Sequence, residues 1–202
     1  MARAEGLVVR SEAMTRVAAP TVPLQVAAQT QRGLAIRGAL LLLFGLAEGG
    51  LVLFAFRLPH ITVHELVIVL AVFMLADGGV ALAEAAGAVT RRAAWLGLGG
   101  NALVSLGAGV AILVMGSPHG VWLFGAWAIL TGLLEVGQVL AAPAARTPGR
   151  LLAAVISVAF GVFALAGPMD RASVMLVGAV FGVVAGGLRL RGAVHPQQIR
   201  TA

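Results

Sequence analysis

Residues 65–89 read ELVIVLAVFMLADGGVALAEAAGAV. After Glu65 this stretch carries only Asp77 and Glu84 as charges, and neither proline nor a basic residue interrupts it. As a helix at about 1.5 Å per residue, roughly 20 such residues cross the hydrocarbon of a bilayer, about 30 Å thick. The stretch stops at Arg91-Arg92. In the other direction a tight turn holding Pro59 leads back to a second apolar run, Gly38–Phe56 (GALLLLFGLAEGGLVLFAF), bracketed by Arg37 and Arg57.

The same alternation of apolar run and short break continues downstream. It predicts spans over about Ala93–Met115, Val121–Ala141, Leu151–Ala166 and Ser173–Leu190, with Pro118 and Pro168 in the outer links. At 60% hydrophobic and 11% charged residues, with a mean hydropathy of +1.00, the chain is too apolar for an ordinary soluble domain. The expected fold is therefore an all-α membrane protein with six transmembrane helices occupying residues 37–191. Residues 1–36, where Pro20 and Pro23 should interrupt any helix, read as a mobile cytoplasmic tail, with a short interfacial helix over Leu7–Val17 as the alternative. Residues 192–202 read as a second cytoplasmic tail.

All 14 basic residues are arginine. The six-span reading gathers Arg3, Arg10, Arg16, Arg32, Arg37, Arg91, Arg92, Arg146, Arg150, Arg189, Arg191 and Arg200 on one side, against Arg57 and Arg171 opposite. Positive charge is retained on the cytoplasmic side, so both termini are expected there. This asymmetry also explains the pI near 11.7 better than nucleic-acid binding does, because the arginines flank membrane segments and do not interleave with aromatics on one face.

What is missing bounds the chemistry. Without cysteine there is no disulfide, thiolate metal site or cysteine nucleophile, and without lysine no Schiff base or Ser-Lys dyad. No HExxH, GxxxxGK[ST], GxSxG or GxGxxG occurs. Ser105 and Ser157 lie in spans with no evident His or Asp partner. The sequence predicts a protein that is not an enzyme and uses no cofactor or metal.

Aligning the even-numbered helices on Asp77-Gly78, Thr131-Gly132 and Ala185-Gly186 gives a constant offset, and the odd helices echo it more loosely at Phe44-Gly45, Leu106-Gly107 and Phe160-Gly161. Three copies of one helix hairpin fit this spacing, with small residues placed around a common bundle axis. Gly178, Gly182 and Gly186, and Gly45 with Gly49, form GxxxG units expected to pack within one bundle in preference to a homodimer seam.

Leu75-Ala76-Asp77-Gly78, the stretch from Trp127 to Glu135 (WAILTGLLE), and Phe160-Gly161 followed by Pro168 resemble the HdeD family of small bacterial acid-resistance membrane proteins. The third copy departs in having Ala185 where the first has Asp77. The resemblance covers about residues 37–191 and implies a multi-pass protein of the bacterial inner membrane with a link to acid stress. It carries over no catalytic residue.

Charged groups inside a bilayer cost roughly 2.5–3.5 kcal/mol each on insertion scales, so intramembrane polar residues are the candidate sites. Glu48 and Asp77 both fall near the middle of their spans and are expected to be neighbours with no basic residue at that depth, so that at least one holds a proton. They would form a proton or cation relay, or simply hydrogen-bond across helices. Nearer the cytoplasm, Glu84 lies seven residues after Asp77 on the same helical face, Gln138 is its counterpart one repeat later, and Glu135 and Arg189 occupy equivalent positions. A cluster is expected in which Arg189 neutralises Glu84 or Glu135, with Arg150 or Arg92 near its mouth. Asn101 and Thr131 should make interhelical hydrogen bonds. His60, His64 and His119 fall on the outer side, as pH sensors or as ordinary interfacial residues; His60 and His64 lack a third metal ligand. Three functions remain open: a non-enzymatic acid-stress protein, a small proton-coupled transporter or channel, and a structural subunit whose partners are the bilayer, further copies or other membrane proteins.

Overall fold

The computed structural model describes residues 22–55, 63–88, 92–141, 148–166 and 171–194. Among these residues the chain forms α1 (Val22–Ala55), α2 (Val63–Gly87), α3 (Arg92–Met115), α4 (Ser117–Ala141), α5 (Pro148–Ala166) and α6 (Arg171–Val194). All six are long and apolar enough to cross a membrane. Large apolar side chains such as Leu53, Leu103, Val114 and Trp122 cover the outside, the arrangement a lipid-facing surface requires.

Two ends differ from the sequence expectation. The first helix begins at Val22, within the expected tail, and runs unbroken through Arg37. Pro23 does not interrupt it, because at the second position its missing N–H would have no intrahelical partner anyway. The Leu7–Val17 alternative lies outside the described residues. Between α3 and α4 the chain reverses at Gly116, whose φ of 74° is the left-handed conformation that ends a helix, while its N–H still bonds to the carbonyl of Ile112 at 2.9 Å. Pro118 again sits in a first helical turn.

Each helix packs on its neighbours in sequence, and α1 also packs on α6, so the bundle closes into a ring. The most extensive interfaces are α1–α6, α2–α3 and α4–α5, which join one hairpin to the next instead of lying within a hairpin. Glycine explains why these backbones come so close. A methyl group on Gly182 would lie 2.7 Å from the Cα of Gly45, and one on Gly161 would lie 2.5 Å from the carbonyl oxygen of Gly125. Both GxxxG faces are thus used within the bundle. Gly107 departs from the expected pattern: nothing stands within 4 Å of where its Cβ would be, and Gly109 makes the close contact with α2.

The middle of the ring is filled by aromatic rings. Phe44 stacks on Phe73 (4.4 Å between centroids), Phe160 on Phe181 (4.5 Å), and Phe124 touches Phe44, Trp127, Phe160 and Phe181. Leu41, Met74 and Ile112 complete this core with no exposed surface. Buried polar residues lie on both sides of this layer.

Candidate functional site: a buried charge network

Most of the buried polar residues lie on the side of the aromatic layer where α1 begins and α2 ends. Gly33 meets Glu84, Arg37 meets Asp77, and Phe44 meets Phe73, so α1 and α2 run antiparallel. Arg37 donates from Nε to Asp77 Oδ1 at 2.7 Å and from Nη2 to Oδ2 at 3.1 Å, a two-pronged pair with both residues buried. Ser105 of α3 donates to Asp77 Oδ2 at 2.8 Å, and the Trp127 indole N–H of α4 donates to Ser105 Oγ at 2.9 Å. With its amide oxygen turned to the guanidinium, Asn101 accepts from Arg37 at 3.0 Å and 3.2 Å. Four helices are thereby tied together through one carboxylate and one guanidinium.

This arrangement corrects three sequence expectations. Asp77 does have a basic partner at its depth, because Arg37 belongs to the interior of α1 and not to its flank. Ser105 does have an acidic partner. Glu48 and Asp77 are not neighbours: they follow Phe44 and Phe73 by one turn each on antiparallel helices, and so lie about 12 Å apart along the bundle, with the aromatic layer between them.

The second part of the network centres on Glu135, which is 4% exposed. Arg189 Nη2 of α6 donates to its Oε2 at 2.5 Å, and Arg150 Nε of α5 donates to Oε1 at 3.3 Å. Arg150 Nη2 also donates to Gln138 Oε1 at 2.8 Å. Of the two acids the sequence offered to Arg189, the structure places it on Glu135. Glu84 instead reaches across to α1, where its carboxyl fills the space a side chain at Gly33 would occupy. A small, partly open cavity of about 20 Å³, room for about one water molecule, is lined by Leu34, Arg37, Glu84, Leu98, Glu135, Arg150 and Arg189. Around it Arg37, Arg150 and Arg189 balance Asp77, Glu84 and Glu135, so the buried cluster is neutral when every group is charged. Two donors in it lack an acceptor, Arg189 Nε and Gln138 Nε2.

Glu48, on the other side of the aromatic layer, is 5% exposed and its Oε2 has no hydrogen-bond partner. It fits against α6 only because Gly178 has no side chain: a methyl there would come within 2.6 Å of Oε2. Thr131 and Ser157 turn their hydroxyls to carbonyls of their own helices, Trp127 at 2.8 Å and Ala153 at 2.9 Å, so Thr131 does not make the interhelical bond expected of it. His119 is exposed in the first turn of α4, His64 lies in the first turn of α2, and His60 lies outside the described residues. Among the described residues no group of three His, Asp or Glu could hold a metal ion.

Fold and site together define a multi-pass α-helical membrane protein with a charge network inside its spans. Comparison with family models, with curated proteins and with solved structures returns no match for this chain.

Proposed function

We propose that the chain is a non-enzymatic protein of a bacterial inner membrane, built as three repeated helix hairpins with both termini in the cytoplasm, that helps the cell tolerate acid. The observation that carries the acid reading is the balanced set of three guanidinium groups and three carboxylates within the spans, all but Asp77 lining one cavity and Asp77 joined to it through Arg37. Protonating such carboxylates removes the partners of buried arginines, so falling pH converts a satisfied network into one with unpaired charge. The resemblance to the HdeD family agrees with this reading. For the hairpin repeat, support comes from the alternation of extensive and slighter interfaces around the ring. The arginines outside the network remain heavily biased to one side, which supports the orientation.

The test is survival of acid challenge by cells lacking the protein and complemented with wild type or with Glu135→Gln. Rescue by the wild type and reduced rescue by the variant, at equal membrane abundance, is expected. Equal survival with and without the protein would reject the function.

A second reading, a small proton-coupled transporter, draws on Glu48: an unpartnered buried carboxyl oxygen beyond the aromatic layer gives a polar site on each side of an apolar barrier. Proton flux into liposomes that depends on Glu48 and Asp77 would favour it over the first reading.

A further inference from the structure

We propose that the cavity between Arg37, Arg150 and Arg189 binds one small inorganic anion of about chloride's size, and that the anion enters together with a proton taken up by Glu84. This goes beyond the acid-tolerance reading and does not depend on it.

Three observations lead there. Arginine predominates among the polar groups lining the cavity, and Arg189, itself 5% exposed, leaves Nε without an acceptor. A buried donor without an acceptor is a rare and unfavourable arrangement that an electron-rich guest relieves. The space, about 20 Å³, suits a small guest such as a monatomic anion or water.

The charge balance then dictates the proton. An anion added to a neutral buried cluster would leave an uncompensated negative charge in a low-dielectric site. One carboxylate must therefore be neutralised as the anion binds. Asp77 takes two bonds from Arg37 and one from Ser105, and Glu135 is held by Arg189 and Arg150. Glu84 lines the cavity, is the least buried of the three acids, and among the described residues is in none of the ion pairs. The groups that share its cavity are Arg37 from α1, Glu135 from α4, Arg150 from α5 and Arg189 from α6; α3 presents the apolar Leu98, and Asp77 stands on its own helix. With Glu84 protonated the cluster carries one net positive charge, which the anion cancels.

The experiment titrates sodium chloride into the purified full-length protein in detergent by calorimetry, at pH 5.0 and pH 7.5, against sodium gluconate at equal ionic strength. Saturable chloride binding, tighter at pH 5.0 by about tenfold or more, is expected. Glu84→Gln, which leaves the arginines in place and mimics the protonated acid, should bind chloride with the same affinity at both pH values. Chloride heats no different from gluconate at either pH in wild type would overturn the site. Binding that is independent of pH in wild type, or still equally pH-dependent in Glu84→Gln, would overturn the coupling to Glu84. Because the readout is ion binding in detergent, failure here leaves the acid-survival result untouched, and the reverse also holds.

Discussion

Replacing Glu135 by Gln keeps the shape of the side chain and removes the charge that two arginines share. In the native bundle the Arg189 side chain is 6% exposed and the Arg150 side chain 13% exposed. Removing one partner of a buried ion pair typically costs about 3–5 kcal/mol, most of it from the charge left behind. Arg150, at the beginning of α5, is the more exposed of the two, whereas Arg189 packs against Gly38 of α1 and Glu135 of α4. The loss should therefore sit at the lower end, about 3 kcal/mol, and belong mainly to Arg189. That assignment makes a second forecast: Glu135→Gln combined with Arg189→Gln should be more stable than the sum of the single changes implies, by about 2 kcal/mol, because the orphaned charge is gone. Denaturation in mixed micelles, followed by loss of helical circular dichroism, measures all four corners of the cycle. A single variant within about 0.5 kcal/mol of wild type, or strictly additive changes, would refute the reasoning.

Glycine substitutions should separate close contacts from open ones. Gly182→Ala would place a methyl against the Gly45 backbone, which has no flexible end to move, and should destabilise the bundle by about 1–3 kcal/mol in the same unfolding assay. Gly107→Ala, with open space around it, should be neutral or stabilising by up to about 1 kcal/mol. Because the chain has no cysteine, orientation is open to direct labelling. A membrane-impermeant maleimide should label His119→Cys on intact cells and Arg191→Cys only after the membrane is opened; the opposite pattern would reverse the topology and turn the cavity to the outside.

Hydropathy made the six spans legible, since each is a long apolar run closed by arginine or proline. Spacing also made Glu84, Glu135, Gln138, Arg150 and Arg189 legible as a group, because residues seven apart share a helical face and the even-numbered helices align at a constant offset. Which acid pairs with which base was not legible. That depends on how helices are turned about their axes, so Arg189 could be offered either Glu84 or Glu135. In the sequence Arg37 looks like a flank because it stands just before an unbroken apolar run, yet the helix starts much earlier and carries it inside. Glu48 and Asp77 looked equivalent in depth because counting from span ends has an error of a turn or more, and one turn in each of two antiparallel helices is enough to put them on opposite sides of Phe44 and Phe73. Ser105 had no sequence signal, since a lone serine in a span is ordinary.

The central claim is that this network holds Asp77 and Glu135 as charged partners of buried arginines, and that Glu84, outside those ion pairs, takes up a proton when the pH falls. Infrared difference spectroscopy of the protein in lipid, between pH 7.5 and pH 4.0, tests it most directly. The account predicts a protonated-carboxyl band that grows on acidification and loses intensity in Glu84→Gln; a band absent from wild type, or unchanged in that variant, would contradict it.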